Sequence, residues 1–448
     1  MHRLYAWVKA LLGRPRRLLI LLGICTLVLA GASPFLWAGY HWYAARAALN
    51  RYRIPEARRH LDACLKVWPW SRNLHVHLLA VRATRREGDI PGAYERLQQV
   101  QSLFGDQSPE VLLEWAMLHA AGGDLENVEG FLLTQLRNDS PYTILILEAL
   151  SQGYSTMGRT ADALRGVDEW LAREPDNVQA LYLRSNIHRQ GGSWIKAIPD
   201  LRRVVELDPE HAPSRFWLGV ALVNIGRYEE AARHLEILQQ RQPDDVEVLV
   251  RLAMCRHRMG RSREANALLD VVLDQRPNHG LALMTRGQIA QWNGQLPEAE
   301  KWLRKAADAL PYDYKSHWLL TQCLRQQNKT EQAETEEAYA NQLRDRWSRF
   351  SEITIHLMSQ RRNDPALFCE AAKLMFELGN PEGARHWLCS ALLIDQQNVP
   401  ALTALAEYYE KKGDATTAED YRRRAKQSES RKVNPTSAVA EGEHAKVP

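Results

Sequence analysis

The stretch "GRYEEAARHLEILQQRQPDD", Gly226–Asp245, contains a glycine, an alanine five residues later and a proline twelve residues after that. The same pattern begins at Gly192 before this stretch and at Gly260 and Gly294 after it, always at the same interval. A pattern that returns at a fixed period of this length is typical of repeat architectures. The chain is therefore predicted to be a repeat array.

The glycine series extends well beyond these four units. Its members are Gly88, Gly123, Gly158, Gly192, Gly226, Gly260 and Gly294, followed by Gly379 and Gly413. An alanine lies five residues after each glycine except Gly123, where Val128 replaces it. Ala57 and Ala333 hold the alanine position without the glycine, and the step from Ala333 to Ala384 is half as long again as the others. The array is therefore predicted to be interrupted once.

Each unit reads as a pair of helices. Gly226 lies between two segments whose leucines recur at helical spacing, and a glycine there can adopt positive φ and end the first helix. Ala231 is small enough to let the second helix approach the first, and Pro243 stops the second helix. The predicted unit is a helical hairpin.

The segment "WLGVALVNIGRYEEAARHLEILQQRQP" resembles the tetratricopeptide repeat, whose 34-residue unit has Leu-Gly in the first helix, Gly and Tyr at the turn, Ala in the second helix and a final Pro. The resemblance covers about residues 38 to 428. It implies an all-α fold, a right-handed α-solenoid of stacked helical hairpins, preceded here by an N-terminal transmembrane helix. The predicted organisation is a basic cytoplasmic N-terminus (1–17), a transmembrane anchor (18–40), a repeat array (41–348), a long linker helix (340–364), two further units (365–428) and a disordered tail (429–448).

The N-terminal apolar segment, residues 18–40, carries no charge along its whole length. At 1.5 Å per residue a helix of this length crosses a hydrocarbon core of about 30 Å. Arginine and lysine are more frequent before the segment than after it, which favours a cytoplasmic N-terminus and a repeat body on the exported side of a cell inner membrane. The alternative is a cleaved signal peptide, because Ala30–Ala32 fits a cleavage site; both interpretations export the body.

Composition and motifs argue against several classes of protein. The 58 basic and 54 acidic residues are balanced, so nucleic-acid binding has little support. The motifs of nucleotide-binding loops, zinc proteases and serine hydrolases are absent from the sequence, and the repeats leave little room for a catalytic domain. We therefore predict a protein that is not an enzyme and that needs no cofactor and no small-molecule substrate.

Two spacings could suggest a metal site. His60 and Cys64 share a helical face, and His75 and His77 form an H-x-H. Neither pair completes the four ligands of structural zinc, so packing or surface roles are favoured and no metal is predicted. The six cysteines form no C-x-x-C, and pairing of Cys369 with Cys389 is the less favoured interpretation of those two.

The resemblance also predicts a partner-binding groove, because the first helices of stacked hairpins line the inner surface of such arrays. In the family the inward positions are the second, fifth, sixth, ninth, twelfth and thirteenth of each unit. From these positions we predict the groove residues Tyr182, Asn186, Arg189, Phe216, Trp217, Asn224, Arg251, His257, Arg258, Gln288, Gln291, Trp292, Trp318, Gln322 and Arg325. Several rings, particularly Phe216 and Trp318, are expected to pack between repeats instead.

Two functions fit these features. The first is a membrane-tethered scaffold that binds an extended or helical segment of a partner protein in its groove. The second is an accessory subunit of a secretion, polysaccharide-export or respiratory-assembly complex, docked through its outer face. An enzyme with an unrecognised site is the least favoured interpretation.

Overall fold

The computed structural model describes residues 33–49, 52–67, 70–105, 108–125, 128–138, 140–361 and 364–433. These residues are helical apart from short connections. Contacts divide the chain into two compact units: residues 1–122 with 130–139, and residues 123–129 with 140–448. The all-α array of helical hairpins predicted from the period is confirmed.

The helices are labelled in chain order. The first unit contains α1 (33–49), α2 (Ile54–Cys64), α3 (Leu74–Arg86), α4 (Ile90–Phe104), α5 (Pro109–Ala121) and, from residue 130 onward, α6 (Glu129–Arg137). The second unit contains α7 (Thr143–Thr156), α8 (Thr160–Arg173), α9 (Val178–Gln190), α10 (Trp194–Leu207), α11 (Ala212–Asn224), α12 (Tyr228–Arg241), α13 (Val246–Arg258), α14 (Ser262–Gln275), α15 (Gly280–Trp292), α16 (Leu296–Ala309), α17 (Tyr314–Gln326), α18 (Thr330–Ser351), α19 (Pro365–Glu377), α20 (Pro381–Ile394), α21 (Val399–Lys411) and α22 (Ala415–Val433).

The turn between the two helices of a hairpin requires a left-handed residue. Gly226 has φ of 81°, and the other eight glycines of the series also have positive φ. Where the glycine is missing, five residues before Ala57 and Ala333, Tyr52 and Asn328 adopt φ of 56° and 61°. The conformation is therefore a property of the turn, and glycine is the residue that adopts it at the lowest cost.

Small residues set the distance between the helices of each pair. Ala231 is fully buried. In the first helix of another hairpin, a Cβ at Gly287 would lie 2.6 Å from Cγ of Leu303. Since packed carbon atoms normally stay about 3.5–4.0 Å apart, α15 and α16 could not keep this spacing with a larger residue at position 287.

The first unit has two apolar clusters. Leu61 and Val76 belong to one cluster, formed by α1, α2 and α3, and Leu97 and Val111 belong to the other, formed by α3, α4 and α5. Between α3 and α5, Arg82 donates a hydrogen bond of 2.7 Å to the fully buried carboxylate of Glu114. This part of the chain is folded as hairpins although its repeats are degenerate.

In the second unit, the first helices of five consecutive hairpins begin at Val178, Ala212, Val246, Gly280 and Tyr314, at the constant interval of the sequence repeat. The extra residues that follow form one long helix, α18, which continues through a π-helical turn, Glu352–Leu357, to Gln360. Leu343 of α18, Ile353 in that turn and the four helices α19–α22 contribute to one apolar cluster, which includes Leu388 and Leu402. The C-terminal hairpins thus have a separate core within the second unit.

Several sequence predictions fall at the edges of the described residues. The predicted span 18–40 lies mainly on residues 1–32, outside the described part, while residues 33–40 open helix α1. Within the described ranges, no helix has both the length and the apolar composition needed to cross a membrane.

The tail predicted from residue 429 is corrected at its start: residues 429–433 continue α22, because Ala425 and Ser428 remain buried and hold that helix in place. Cys64, Cys255, Cys323, Cys369 and Cys389 are free thiols.

Candidate partner-binding groove

The predicted groove residues lie on five consecutive first helices, α9, α11, α13, α15 and α17. Helix α13 contacts both α11 and α15 directly, in addition to its hairpin partner α14. We refer to these five first helices as the inner row. The groove residues predicted from the sequence all lie on them.

Three of the predicted residues pack into the protein more than they face outward. Phe216 and Trp217 are half-buried, contact each other with ring centroids 5.2 Å apart, and pack against the apolar cluster of α10–α13. Tyr182 packs against the same cluster and contacts the ring of His211 at 5.2 Å. The expectation of packing between repeats is confirmed for Phe216.

Arg189 differs from the ion-paired arginines of this unit. Its guanidinium carbon lies 3.6 Å from the ring centroid of Trp217 on the next first helix, a cation–π contact. One terminal nitrogen donates to Oδ1 of Asn186 at 3.4 Å, and the buried Nε has no hydrogen-bond partner among the described residues. Burial lowers the pKa of Arg189.

Arg251 has an environment similar to that of Arg189. It lies on α13, the first helix of the hairpin that follows Trp217. Its Nη1 lies 3.9 Å from Sδ of Met254, a weak acceptor, and its buried Nε is also unpartnered within the described part of the chain. Burial lowers the pKa of Arg251, and only the attraction of Glu247 and Cys255 opposes this shift. Arginine nonetheless stays protonated in proteins, so a half-buried positive charge remains at this position.

Other arginines of the second unit show the contrast. Arg184 bonds to Asp200 at 2.7 and 2.8 Å and to Asp168 at 2.8 Å. Arg203 is paired with Asp176 and Glu206. Within the described residues, no carboxylate forms an ion pair with Arg189 or Arg251. A buried donor without an acceptor costs about 1–3 kcal/mol, and more on a charged group.

The following two hairpins expose aromatic rings. Trp292, at the end of α15, is 79% exposed and contacts His257 with ring centroids 6.3 Å apart. Trp318 on α17 was expected to pack between repeats, but half of its surface is exposed because Ser316, His317 and Leu319 fill the buried face of the helix. Burial, then the charge of Arg258, lowers the pKa of His257.

Three of the remaining predicted residues are engaged within the protein. Arg325 forms an ion pair with Glu337 of α18. The side chain of Gln291 donates to Gln326 at 3.0 Å, and Asn224 donates to the backbone oxygen of Val220 at 2.9 Å. Gln288 and Gln322 are half-buried, and Arg258 is exposed.

Family inward positions did not identify every residue of this surface. Tyr314 is 42% exposed at the first position of its unit, and Gln326, at the thirteenth position, was also left out of the predicted set. The sequence was sufficient to predict Gln326, because the thirteenth position of the unit is one of the inward positions. For Tyr314 no sequence pattern separates an exposed ring from a packed one.

Residues 149–212, 188–249 and 226–289 match sequence profiles described as tetratricopeptide repeat. A TPR repeat-containing protein of Pseudomonas aeruginosa is 25% identical over 209 residues, 46% of this chain and 35% of that protein. DnaJ homolog subfamily C member 3 of Rattus norvegicus is 32% identical over 90 residues, 20% of this chain and 18% of that protein. The chain thus spans about a third and about a fifth of the length of these two curated relatives.

Solved structures of low identity resemble parts of the chain. The crystal structure of MamA is 22% identical, with 36% of this chain and 94% of that chain covered and a TM-score of 0.33. A human IFIT1 dimer with m7Gppp-AAAA is 15% identical, with 84% and 94% covered and a TM-score of 0.37. At these scores the likeness carries no argument about ligands.

Proposed function

From the premise that this chain is a tetratricopeptide repeat protein, a kind of scaffold for protein–protein interaction, we propose that its inner row of helices binds a segment of a partner protein. The observation that carries the proposal is the pair of half-buried arginines, Arg189 and Arg251, whose Nε atoms lack acceptors among the described residues. A partner segment that supplies carbonyl or carboxylate oxygens to the terminal nitrogens of these two guanidinium groups would form charge-assisted hydrogen bonds with them. The exposed rings of Trp292 and Trp318 offer rigid contact area nearby in the array.

The binding test compares the inner row with the outer helices. A photo-crosslinking amino acid is placed at position 288 on α15 or, as the control, at Val271 on α14, which is 42% exposed. The proposal expects crosslinks to a partner from position 288 and none from position 271. Crosslinks confined to position 271 would favour the alternative, a subunit docked through its outer face.

Replacing Arg189 and Arg251 together with Gln should weaken binding of the captured partner at least tenfold, since each charge-assisted hydrogen bond contributes about 1.5–3 kcal/mol. Arg203→Gln is the matched control, because Arg203 is an arginine of α10 already paired with carboxylates. The measurement is the dissociation constant of the purified pair. Equal affinities for the double variant and the control would contradict the proposal.

The alternative function has one observation in its favour. On α16, Lys301 and Lys305 lie 5.7 and 5.2 Å from the ring centroid of Trp302. Arg286 of α15, which is ion-paired with Asp270, lies 5.7 Å from the same centroid. A ring surrounded by cations on a second helix is suited to an acidic partner surface. Lys301→Glu combined with Lys305→Glu would weaken docking of this kind and leave groove binding unchanged.

The proposed location is the exported side of an inner membrane, anchored through residues 18–40. The uncharged apolar segment and the excess of basic residues before it support this orientation. Alkaline phosphatase, which is active only after export, is fused after residue 433, and the N-terminus of the mature chain is sequenced. An inactive fusion would contradict export, and a new N-terminus near Ser33 would replace the anchor with a cleaved signal peptide.

A further inference from the structure

A cleft lies in the second unit, beside the C-terminal ends of α7 and α9. It is a cleft of about 1260 Å³ between the hairpin turns of α7–α8 and α9–α10 on one side and the C-terminal elements α18–α20 on the other. Clefts that hold a small ligand usually have volumes of about 300–1,000 Å³, so this one has room for a larger group. No groove residue predicted from the sequence lines it.

A contact between distant parts of the chain borders the cleft. The hydroxyl of Ser390 on α20 donates to the backbone oxygen of Met157 at 3.3 Å, across 233 residues of sequence. The ring of Trp387 lies against Gly158, where any Cβ would overlap it. We name this contact the clasp, formed by Met157, Gly158, Trp387 and Ser390.

The wall from the C-terminal elements is apolar. Trp387 contacts Phe350 and Phe368 with ring centroids 5.9 and 6.0 Å apart. Met358 and Met375 complete this wall and are almost fully buried. Methionine side chains are flexible and polarisable, so a wall of Met and aromatic residues adapts to apolar side chains of different shape.

The opposite wall is polar, and its carboxylates are already neutralised. Glu129 accepts two bonds of 2.9 Å from Arg159 and one of 2.8 Å from the hydroxyl of Tyr154. Asp162 is paired with Arg159 and with Arg165.

One basic group of the same wall is not neutralised in this way. The exposed Lys196 forms no ion pair with a carboxylate among the described residues. The half-buried His188 lies on the same wall, but burial lowers its pKa, so it adds no charge at neutral pH. The polar wall therefore presents the positive charge of Lys196 beside an apolar wall.

We propose that this cleft is a second protein-binding site, which accepts an amphipathic helix with an apolar face and carboxylates along its edge. The apolar face packs on the Phe, Trp and Met wall, and the carboxylates pair with Lys196. Helix-in-groove recognition uses apolar anchors at positions i, i+3, i+4 and i+7 of the bound helix. The site differs from the predicted groove in its lining residues and in its wall of Phe, Trp and Met side chains.

The test uses fluorescein-labelled helical peptides of sixteen residues and the folded protein. One peptide has a leucine face flanked by glutamates, a second keeps the leucines and carries lysines instead of glutamates, and a third has the acidic composition in scrambled order. Fluorescence anisotropy is expected to rank the acidic amphipathic peptide at least tenfold tighter than either of the others. Equal binding of the acidic and basic peptides, or of the scrambled one, would overturn the proposal.

Variants locate the site. Lys196→Glu is expected to weaken binding of the acidic peptide five- to tenfold, and Thr354→Trp, which places a large ring in the cleft, is expected to abolish it. The double variant Arg189→Gln, Arg251→Gln is expected to leave this affinity unchanged. If only that double variant weakens binding, the peptide occupies the inner row; the cleft proposal then fails while the proposed function stands.

Binding of a small anionic amphiphile is a separate outcome. Dodecyl phosphate is titrated against the protein–peptide complex. One outcome is that dodecyl phosphate displaces the acidic peptide, with Lys196→Glu weakening binding of dodecyl phosphate more than binding of the peptide. In that case the occupant is a small amphiphile and the helix proposal is overturned. Failure to compete would support the peptide as the occupant.

Discussion

At the scale of the residue, one backbone conformation explains most of the glycines that mark the period. Gly192 and Gly226 have open space where a Cβ would be, so their role is conformational rather than steric. Gly158 differs because Trp387 occupies the space beside it. Asn328 shows that the turn survives without glycine, since Asn tolerates the left-handed region better than most residues.

Two adjacent glycines allow the conformational role of the turn glycine to be tested directly. Gly192 has φ of 72°, whereas Gly191 has φ of −78° and no atom closer than 3.6 Å to the position that an added Cβ would occupy. Gly192→Ala should lower the free energy of unfolding by about 1–2 kcal/mol, the cost of a left-handed L-residue. Gly191→Ala should leave it unchanged or raise it by about 0.4–1 kcal/mol. Urea denaturation measures both, and equal effects would show that φ does not decide stability here.

At the scale of the element, the first helices are ended and started by specific side chains. Helix α11 begins after His211, whose Nδ1 accepts a hydrogen bond of 3.2 Å from the backbone nitrogen of Ser214. Asp245 and Asn177 make the equivalent bonds for α13 and α9. A histidine can do so only when that nitrogen is unprotonated.

The His211 cap makes the stability of α11 depend on pH. Burial lowers the pKa of His211 below its unfolded value of about 6.5, so the unfolded chain takes up the proton first. The stabilisation is therefore present above about pH 6.5 and is lost as the pH falls below that value. Hydrogen exchange of residues 212–224 should show up to about 1 kcal/mol less protection at pH 5.5 than at pH 7.5.

His211→Asn is the control for this prediction, because Asn keeps an oxygen acceptor at the cap at both pH values. The variant should show a smaller difference in protection of α11 between the two pH values than the natural chain. An undiminished difference would assign the pH dependence to other histidines whose pKa is lowered by burial, such as His234.

At the scale of the whole molecule, the second unit is more than a linear stack. The long helix α18 and its π-helical turn lead into hairpins that return to the turn at Met157 and Gly158. A Cβ at Gly379 would also overlap the ring of Tyr312, so the C-terminal hairpins contact the array at two places. Repeat proteins ordinarily contact only sequence neighbours, and the contact of Ser390 with Met157 is an exception to that rule.

The clasp can be separated from backbone strain with a matched pair of variants. Gly158 and Gly192 have φ of 70° and 72°, but only Gly158 has a ring beside it. Gly158→Ala should therefore increase hydrogen exchange in residues 381–394 at least tenfold, because the added methyl group displaces Trp387. Gly192→Ala should leave that segment unchanged. Similar exchange in the two variants would mean that Trp387 is not held by this contact.

The period of glycine, alanine and proline determined the all-α hairpin array, because each of those residues acts on its own backbone or on a neighbour within the same repeat unit. Tertiary structure alone decided which side chains at the inward positions have hydrogen-bond donors without an acceptor among the described residues. Arg189 and Arg325 occupy the same position of their units. Arg325 forms an ion pair with Glu337, whereas Arg189 forms a cation–π contact with Trp217. It also decided the clasp, since Met157 and Ser390 are 233 residues apart. Contacts at that separation depend on how the stack curves over several hairpins, and no local pattern encodes that curvature.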